Sequence, residues 1–376
     1  MARSYRPADL HAAGTARPLE LAAQGFFWTG GEIVQHETAG PVMRGQQYVE
    51  YWIPQDLVHP LPMVMVHGGG GQGTDFLGTA DGREGWVHWF VRRGWAVYVV
   101  DRPQHGRSPF NPAVQGAMGG LGPTVALERL FTRPQDFPDN YPQAKLHDKW
   151  PGSGKIDDPA FLNFLAGTGP SLADQAQSQR DAQRAGAELL DLIGPAIVLS
   201  HSAGGPPGWL IADARPDLVK ALVAMEPLGP PFTALSGPLP YGITNAPLTY
   251  DPPLRNGEEL AWVERPAPGP DLVACKVQKE PARRLPNLAR VPIVVVTAEA
   301  SWMAADNHGM VDFLAQAGCT VEHVRLEDRG VFGNGHAMQL ETNSDEVASV
   351  IEAWLRGKGL GGAKKRSPGE LIDSIK

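Results

Sequence analysis

Three observations predict an α/β fold, in which a mostly parallel central sheet is covered by helices on both faces. Short apolar segments alternate with amphipathic helical patterns from residue 62 to residue 356, as in parallel sheets that are buried on both faces. Two long segments rich in proline, glycine and aromatic residues interrupt this alternation. Four glycines stand where the C-terminal ends of helices favour them, at Gly94, Gly194, Gly318 and Gly357.

Composition supports a folded chain with a large core. The 376 residues are 42% hydrophobic and 20% charged, so cross-links by disulfides or metals are not required for stability. Ten Trp, twelve Phe and seven Tyr exclude disorder for most of the chain. The net charge of −8 argues against nucleic acid or an anionic membrane as the main partner. Cys275 and Cys319 are too few for a four-ligand zinc site and are predicted to pack as small apolar side chains.

Neither a membrane span nor a signal peptide is expected from the sequence. No apolar run approaches the roughly 18 residues of a membrane span. The first residues, MARSYRPADLHAAG, have a basic start without an apolar stretch, so no signal peptide is expected. This is compatible with a cytoplasmic protein or with a mature exported form. Residues 1–357 are predicted as one domain and residues 358–376, with the basic run 364–366, as a flexible tail.

The first predicted element is a hairpin over residues 25–53, with strand-like segments at 25–28 and 47–53. An edge strand is predicted at 320–326, where apolar and polar residues alternate. Short apolar runs predict buried strands at 62–66, 96–100, 196–200, 221–225 and 292–297. Helical periodicity predicts helices at 85–93, 172–193, 307–317 and 345–356.

The two long irregular segments are residues 108–170, the first cap segment, and 227–290, the second cap segment. Both follow predicted strands, so they leave the sheet at the edge where α/β proteins bind ligands. We interpret them as covers over a site. The alternative is that they are surface loops without a functional role.

A candidate nucleophile follows the strand predicted at 196–200. Residues 200–205 read SHSAGG and are followed by PPGW, which approximates a G-x-S-x-G motif with Ser200 in the first position. Such a motif holds its serine on a sharp strand-to-helix turn, where the crowded flanking positions must be small. The helix N-terminus behind Ser202 would direct N–H groups at an oxyanion. Ser202 is therefore the predicted nucleophile.

The strand predicted at 62–66 runs into His67 and four glycines. Such an HGGG-type loop can donate a backbone N–H to an oxyanion hole, with His67 holding the loop through its ring. A dinucleotide fingerprint is the alternative, because Gly68, Gly70 and Gly73 match G-x-G-x-x-G and Asp101 ends the next strand. Residues 74–84 contain two further glycines, so we expect no clean helix start after Gly73. This favours the oxyanion-hole interpretation.

Two further residues complete a candidate triad. Glu226 follows the strand predicted at 221–225, and His336 lies in a loop between the last predicted strand and the last helix. The order Ser202, Glu226, His336 matches the order nucleophile, acid, base of one class of serine enzymes. Alone, Glu226 could be a capping or surface carboxylate and His336 an ordinary loop histidine. Their combination with Ser202 favours a catalytic triad.

Several stretches spread in order over residues 25–356 resemble bacterial α/β-hydrolase esterases of the subgroup whose triad acid is a Glu after strand six. They are VHGGGGQGTDF, DGREGWVHWFVRRGWAVYVVDRPQHGRS, VLSHSAGG, VAMEPLG and RGVFGNGHAMQLETNSDEVASVIEAWL. The resemblance implies an α/β-hydrolase fold in which Ser202 is the nucleophile, Glu226 the acid and His336 the base. It also implies an oxyanion hole formed by the N–H groups of Ala203 and of Gly69 or Gly70, whereas the cap segments match the family poorly. Members of this subgroup carry adjacent cysteines where Gly69 and Gly70 stand, so the loop donor stays open between the two glycines.

The sequence therefore predicts a serine carboxylesterase that forms an acyl-enzyme on a small-molecule ester, without a metal or organic cofactor. The same triad serves lactones and thioesters. The alternatives are an NAD(P)-dependent oxidoreductase on the Gly68–Gly73 loop and a binding protein without catalysis. A homodimer is compatible with the sequence. Asp306 and Glu299, after the strand at 292–297, are the alternative triad acids. Substrate-pocket candidates, which could equally be core or cap packing, are Trp150, Trp209, Trp302 and Phe232.

Overall fold

An eight-stranded sheet organises the chain in the computed structural model, which describes residues 6–10, 17–120, 122–235, 237–255, 259–362 and 367–375. The strands, in chain order, are β1 (Leu21–Thr29), β2 (Glu32–His36), β3 (Gly40–Arg44), β4 (Gln47–Pro54), β5 (Met63–Val66), β6 (Val97–Asp101), β7 (Ala196–His201), β8 (Val219–Met225), β9 (Thr233–Ala234), β10 (Gly237–Pro238), β11 (Trp262–Arg265), β12 (Cys275–Gln278), β13 (Ile293–Thr297) and β14 (Val321–Arg325). The α-helices are α1 (Thr74–Leu77), α2 (Trp86–Val91), α3 (Pro112–Gln115), α4 (Thr124–Leu127), α5 (Pro159–Ala166), α6 (Gln175–Ile193), α7 (Gly205–Ala214), α8 (Asn307–Gln316), α9 (Ser344–Gly357) and α10 (Pro368–Ser374).

The order of strands in the main sheet is β1-β4-β6-β5-β7-β8-β13-β14. β1 pairs antiparallel with β4, and β4 antiparallel with β6. All pairs from β6 to β14 are parallel. Counted along the chain, β8 is the sixth strand of this sheet and β13 is the seventh. The predicted mostly parallel α/β fold is confirmed, with β14 at the edge as its alternating pattern indicates.

Apolar side chains on both faces of the sheet explain why its strands are nearly continuous hydrophobic runs. On one face, side chains such as Val198 and Leu222 pack against α6, α7 and α8. On the other face, Leu199 and Val223 pack against α2 and α9. Because successive side chains of a strand point to opposite faces, burial of both faces leaves no polar positions in β7 before its end at His201 except Ser200.

The N-terminal hairpin is more elaborate than predicted. β1 and β4 pair antiparallel over the predicted segments, but β2 and β3 form a separate two-stranded sheet between them.

The predicted glycines at the C-terminal ends of helices differ from the structure in one place. Gly94, Gly194 and Gly318 have positive φ angles, as predicted for C-terminal glycines. Gly357 is still within α9, and the positive φ falls on Gly359.

Part of the predicted flexible tail is helical. α10 begins after Ser367, whose side chain accepts from the N–H of Glu370, and Pro368 stands at its first position, where proline is well tolerated. Leu371 is completely buried with Ile53, Leu57 and Ala96. This apolar contact corrects the expectation of a flexible tail for residues 367–375. The basic run 364–366 lies outside the described residues.

The first cap segment lies against the loops that follow β13 and β14. The Tyr141 hydroxyl donates to the carbonyl of Ala300 at 3.1 Å, and the N–H of Asp148 donates to the carbonyl of Gly333 at 3.2 Å. The second cap segment contains the short hairpins β9–β10 and β11–β12. Cys275 and Cys319 are both buried free thiols, in agreement with the prediction that they pack as small apolar side chains. In the described ranges, no helix combines the length and the apolar character that a membrane crossing requires.

Candidate active site

Ser202 lies on a tight turn between β7 and α7. Its φ angle is +54°, a left-handed conformation that is uncommon for residues other than glycine and concentrates at functional sites. A Cβ on Gly204 would lie 2.5 Å from the His67 carbonyl oxygen, and one on Gly208 would lie 2.8 Å from Ser200 Oγ. The turn therefore requires small residues on both sides of Ser202, as its motif predicts.

The structure brings Ser202, His336 and Glu226 into one hydrogen-bond chain. His336 Nε2 is 2.8 Å from Ser202 Oγ, and His336 Nδ1 bonds to Glu226 Oε2. Since a carboxylate only accepts, the Nδ1 proton is donated to Glu226, which leaves Nε2 free to accept the Ser202 proton. Both the imidazole and the carboxyl are completely buried.

Three donors converge on the Glu226 carboxylate. Besides His336, the Ser301 hydroxyl donates to Oε2 at 2.7 Å and the N–H of Ala298 donates to Oε1 at 2.8 Å. Burial raises the pKa of Glu226, and the hydrogen bonds from Ser301 and Ala298 oppose that rise. Burial lowers the pKa of His336, which favours the neutral imidazole. The hydrogen bonds that Glu226 accepts from Ser301, Ala298 and His336 favour an ionised carboxylate beside a neutral imidazole.

The alternative acids after β13 point elsewhere. Glu299 accepts from the N–H of Gly333 at 2.9 Å. Asp306 is largely buried, and its Oδ1 has no hydrogen-bond partner in the described part of the chain. Burial and the nearby charge of Glu226 raise the pKa of Asp306 to about 7. The carboxyl group that contacts His336 is that of Glu226, after the sixth strand of the main sheet.

A second buried glutamate holds the loop that carries His336. Glu341 accepts from the N–H of Gly335 at 3.0 Å and from the side-chain amide of Asn334 at 2.8 Å. His147, from the first cap segment, donates to the same carboxylate at 2.7 Å, and both side chains are completely buried. Sequence analysis missed this arrangement, because nothing in the local sequence of Glu341 or His147 indicates their contact.

Ring contacts surround the His336 imidazole on several sides. The Trp302 ring centroid is 4.0 Å away and the Phe131 centroid 5.5 Å away. The ring of His201, directly before Ser202, is 4.7 Å away, and its Nε2 donates to the His336 carbonyl at 2.9 Å. Among the predicted pocket residues, Trp302 is thus the one with a ring contact to His336. Phe131 and His201 were not predicted.

The other pocket candidates lie elsewhere. Trp209 belongs to α7 and is completely buried in the core between this helix and the sheet. This position corrects its assignment to the pocket. Phe232 packs against Phe313 and Trp262. Trp150 contacts Phe164, whose ring in turn contacts Phe131.

The predicted oxyanion loop lies directly against the Ser202 turn. A Cβ on Gly68 would be 3.1 Å from Ser202 Cβ, and one on Gly69 would be 3.1 Å from Ala203 Cβ. A side chain at either position would require the neighbouring residue to shift by a few tenths of an ångström. His67 holds the loop as predicted: its Nδ1 bonds the Gly68 carbonyl at 2.8 Å, and its Nε2 accepts from the N–H of Arg102 at 2.9 Å.

Asp101, the acid of the dinucleotide alternative, is fully engaged within the loop network. It accepts from the N–H of Gly73 at 2.6 Å and from the N–H and Nε of Arg107, both at 2.7 Å. α1 begins right after Gly73, contrary to expectation, but comprises only four residues. A single turn is shorter than the helix that follows a dinucleotide fingerprint.

No set of three or more potential ligand side chains within the described ranges is arranged to hold a metal ion.

The sheet order, the serine turn and the neighbouring histidine define an enzyme of the α/β-hydrolase class. Residues 62–241 match the α/β-hydrolase fold family, and the chain belongs to this family. It is 40% identical over 336 residues to the "Probable secreted lipase phiG" of Fungal sp. (strain ATCC 74256), covering 88% of this chain and 89% of that protein. A solved structure described as a novel bacterial esterase superposes with a TM-score of 0.62 at 23% identity, covering 90% of this chain and 97% of that one.

Proposed function

We propose that the protein hydrolyses a carboxylic ester through an acyl-enzyme on Ser202. His336 Nε2 takes the Ser202 proton as Oγ attacks the ester carbonyl, and the protonated imidazole then gives that proton to the leaving alcohol. In the second step His336 takes a proton from water, which attacks the acyl-enzyme. The proton returns to Ser202 Oγ as the carboxylic acid is released.

The observation that carries this proposal is the hydrogen-bond chain from Ser202 Oγ through His336 to Glu226. It starts at a serine whose φ of +54° is typical of a nucleophile turn. Membership of the α/β-hydrolase family supports the proposal, as does the 40% identity with a protein described as a probable secreted lipase.

Glu226 acts in this proposal as the triad acid. Its negative charge stabilises the imidazolium that forms when His336 accepts the serine proton, and its contact with Nδ1 fixes the reactive tautomer. The donors Ala298 and Ser301 hold the carboxylate in place. A glutamate is one methylene longer than an aspartate, which lets it reach His336 from the end of β8, next to the nucleophile strand β7.

The N–H groups of Ala203 and Gly69 are the proposed oxyanion hole. The Gly69 backbone approaches Ala203 so closely that a Cβ would contact it at 3.1 Å. Two such donors, fixed before the reaction, stabilise the charge that develops on the carbonyl oxygen of the substrate. Trp302 and Phe131, which contact the His336 ring, are the proposed apolar walls for a small-molecule ester, and both cap segments are proposed to cover it.

A panel of p-nitrophenyl esters of increasing acyl length tests the activity, and a fluorophosphonate tests the nucleophile. We expect turnover of at least one ester and a single labelled residue, Ser202. The Ser202→Ala variant is expected to lose both labelling and turnover. Ser200→Ala is the matched control, since Ser200 lies two residues away in β7 and should leave labelling intact. Labelling of another residue, or turnover that survives in Ser202→Ala, would refute the proposal.

A further inference from the structure

Arg102 is a buried cation beside the oxyanion loop that the triad does not use. It directly follows β6, and only 5% of its surface is exposed. Burial lowers the pKa of the guanidinium to about 10, while the charge of Asp75 opposes this. The side chain therefore stays positively charged at neutral pH, in an interior where burying a charge is costly unless it is hydrogen-bonded.

The guanidinium binds carbonyl oxygens on both sides of the proposed oxyanion hole. Its Nη2 donates to the Gly68 carbonyl at 2.8 Å, and Nη1 lies 3.5 Å from the Ala203 carbonyl. Nη2 also lies 3.2 Å from His105 Nε2. His105 Nδ1 bonds the Pro103 carbonyl at 2.9 Å, so its proton is on Nδ1 and Nε2 is an acceptor for Arg102.

The backbone of Arg102 holds the same loop. Its N–H donates to His67 Nε2 at 2.9 Å, so the His67 proton is on Nδ1, which donates to the Gly68 carbonyl at 2.8 Å. The Gly68 oxygen thus accepts from two donors, one of them charged. Hydrogen bonds from a charged donor are stronger than neutral ones, so this carbonyl has one fixed direction.

That direction determines where the Gly69 N–H points. The Gly68 carbonyl and the Gly69 N–H belong to one trans peptide, since the cis peptides of the described chain lie elsewhere, and in a trans peptide the two groups point in opposite directions. The Ser202–Ala203 peptide is fixed in the same way: the Ser202 carbonyl accepts from the N–H of Leu228 at 2.8 Å. In both peptides the carbonyl oxygen is held by hydrogen bonds, so the N–H group on the opposite side of the same peptide has a fixed direction.

We propose that Arg102 is a positioning residue for the oxyanion hole, which aims and polarises the Gly69 N–H through the Gly68 carbonyl. This rests on the proposed ester hydrolysis at Ser202. A charged donor on the carbonyl of a peptide polarises its N–H, because hydrogen bonds in series strengthen one another. The fixed positive charge also favours the negative oxygen that develops in the transition state.

The variants Arg102→Met and Arg102→Lys test this inference, with Arg92→Met as the control. Arg92, at the C-terminal end of α2, is also partly buried. It binds Glu84 and the carbonyls of Arg17 and Pro18, which are not part of the proposed site. Removing an oxyanion-hole donor lowers kcat by about 10²- to 10³-fold. We expect Arg102→Met to lower kcat by about 10- to 100-fold with KM within about twofold, because the donor is misaligned rather than lost.

A second readout separates positioning from a merely structural role. An aryl trifluoromethyl ketone forms a hemiketal with the serine and places its oxyanion in the hole, whereas the carboxylic acid product does not. Arg102→Met should weaken binding of the ketone in proportion to the loss of kcat and leave the affinity for the product unchanged. Arg102→Lys should partly restore both kcat and the affinity for the ketone. Arg92→Met should keep kcat and ketone affinity within about twofold.

Two kinds of outcome would overturn the inference. Unchanged kcat and ketone affinity in both Arg102 variants would do so, as would a loss of kcat with unchanged ketone affinity. If Arg102→Met does not fold, as judged by circular dichroism, Arg102→Lys decides alone by the same criteria. A wild-type protein that neither hydrolyses the esters nor is labelled at Ser202 would instead refute the proposed function, and this inference with it.

Discussion

Replacing Glu226 by glutamine keeps the shape of the side chain, removes its charge and disrupts a set of three donors. Ala298 donates to one carboxylate oxygen, while Ser301 and His336 share the other. An amide has only one oxygen. If that oxygen faces His336, the amide N–H₂ group opposes the N–H of Ala298. If the amide nitrogen faces His336, Nδ1 must accept, and the proton moves to Nε2, which can then no longer accept from Ser202.

Both arrangements impair acylation, one through a buried clash of donors and the other through the wrong tautomer. Loss of the charge and the tautomer costs about 10⁴-fold in a serine protease. We expect Glu226→Gln to lower the acylation rate by about 10³- to 10⁴-fold, equivalent to about 4 to 5.5 kcal/mol in the barrier. Stopped-flow measurement of the p-nitrophenol burst reports acylation directly, and circular dichroism checks that the variant is folded.

Matched amides at the two alternative acids provide the controls. Asp306→Asn and Glu299→Gln should retain acylation within about threefold, because neither carboxyl contacts His336 and a spectator carboxylate contributes little. The reasoning is refuted if either control loses more activity than Glu226→Gln. Such a result would assign the acid to the loop after β13, the seventh strand of the main sheet.

Three further outcomes are expected. Burial lowers the pKa of His336, and only the neutral imidazole accepts the serine proton. The value of kcat/KM should therefore persist below pH 6.5 and fall as the pH drops through that lowered pKa. A fall of kcat/KM that is centred above pH 6.5 would contradict this. Glu341→Gln should lower kcat/KM by about tenfold, because a buried unsatisfied group costs about 1–3 kcal/mol. Glu346→Gln, on the exposed face of α9, is the control. Equal activities of the two variants would refute a role of Glu341 in holding the His336 loop. NADH fluorescence titration should show no saturable binding at micromolar concentration, since Asp101 is engaged by Gly73 and Arg107; saturable binding that is lost in Gly70→Val would refute this.

The elements that sequence analysis predicted well are those with strong local signals. Continuous apolar runs mark the parallel strands, because both faces of the sheet are buried. The small residues around Ser202 mark the turn, because strand and helix leave no room for a Cβ at Gly204. The carboxyl ends of adjacent strands bring Glu226 and Ser202 to one edge, so their order along the chain already indicates a shared site.

What sequence analysis missed depends on contacts between distant parts of the chain. His147 and Glu341 are 194 residues apart, and Arg102 meets Ala203 from 101 residues away. Each looks like an ordinary charged or polar residue in its local sequence. The pocket assignment of Trp209 failed for a related reason, since an aromatic residue on a helix suits a core or a binding wall equally well. The α10 helix does have local signals in Ser367 and Pro368, next to a basic run that is typical of a solvated end.

The hydrogen bond between His147 and Glu341 connects the first cap segment to the loop that carries His336. The contacts that join the first cap segment to the loops around His336 include the His147–Glu341 pair, the bond from Asp148 to Gly333 and the bond from Tyr141 to Ala300. Lifting this segment would break the hydrogen bond that Glu341 receives from His147 while it holds Gly335. A molecule in which this segment has moved away would therefore hold the His336 loop less firmly. On the proposed function, the position of the first cap segment would affect the rate of the reaction as well as the entry of substrate.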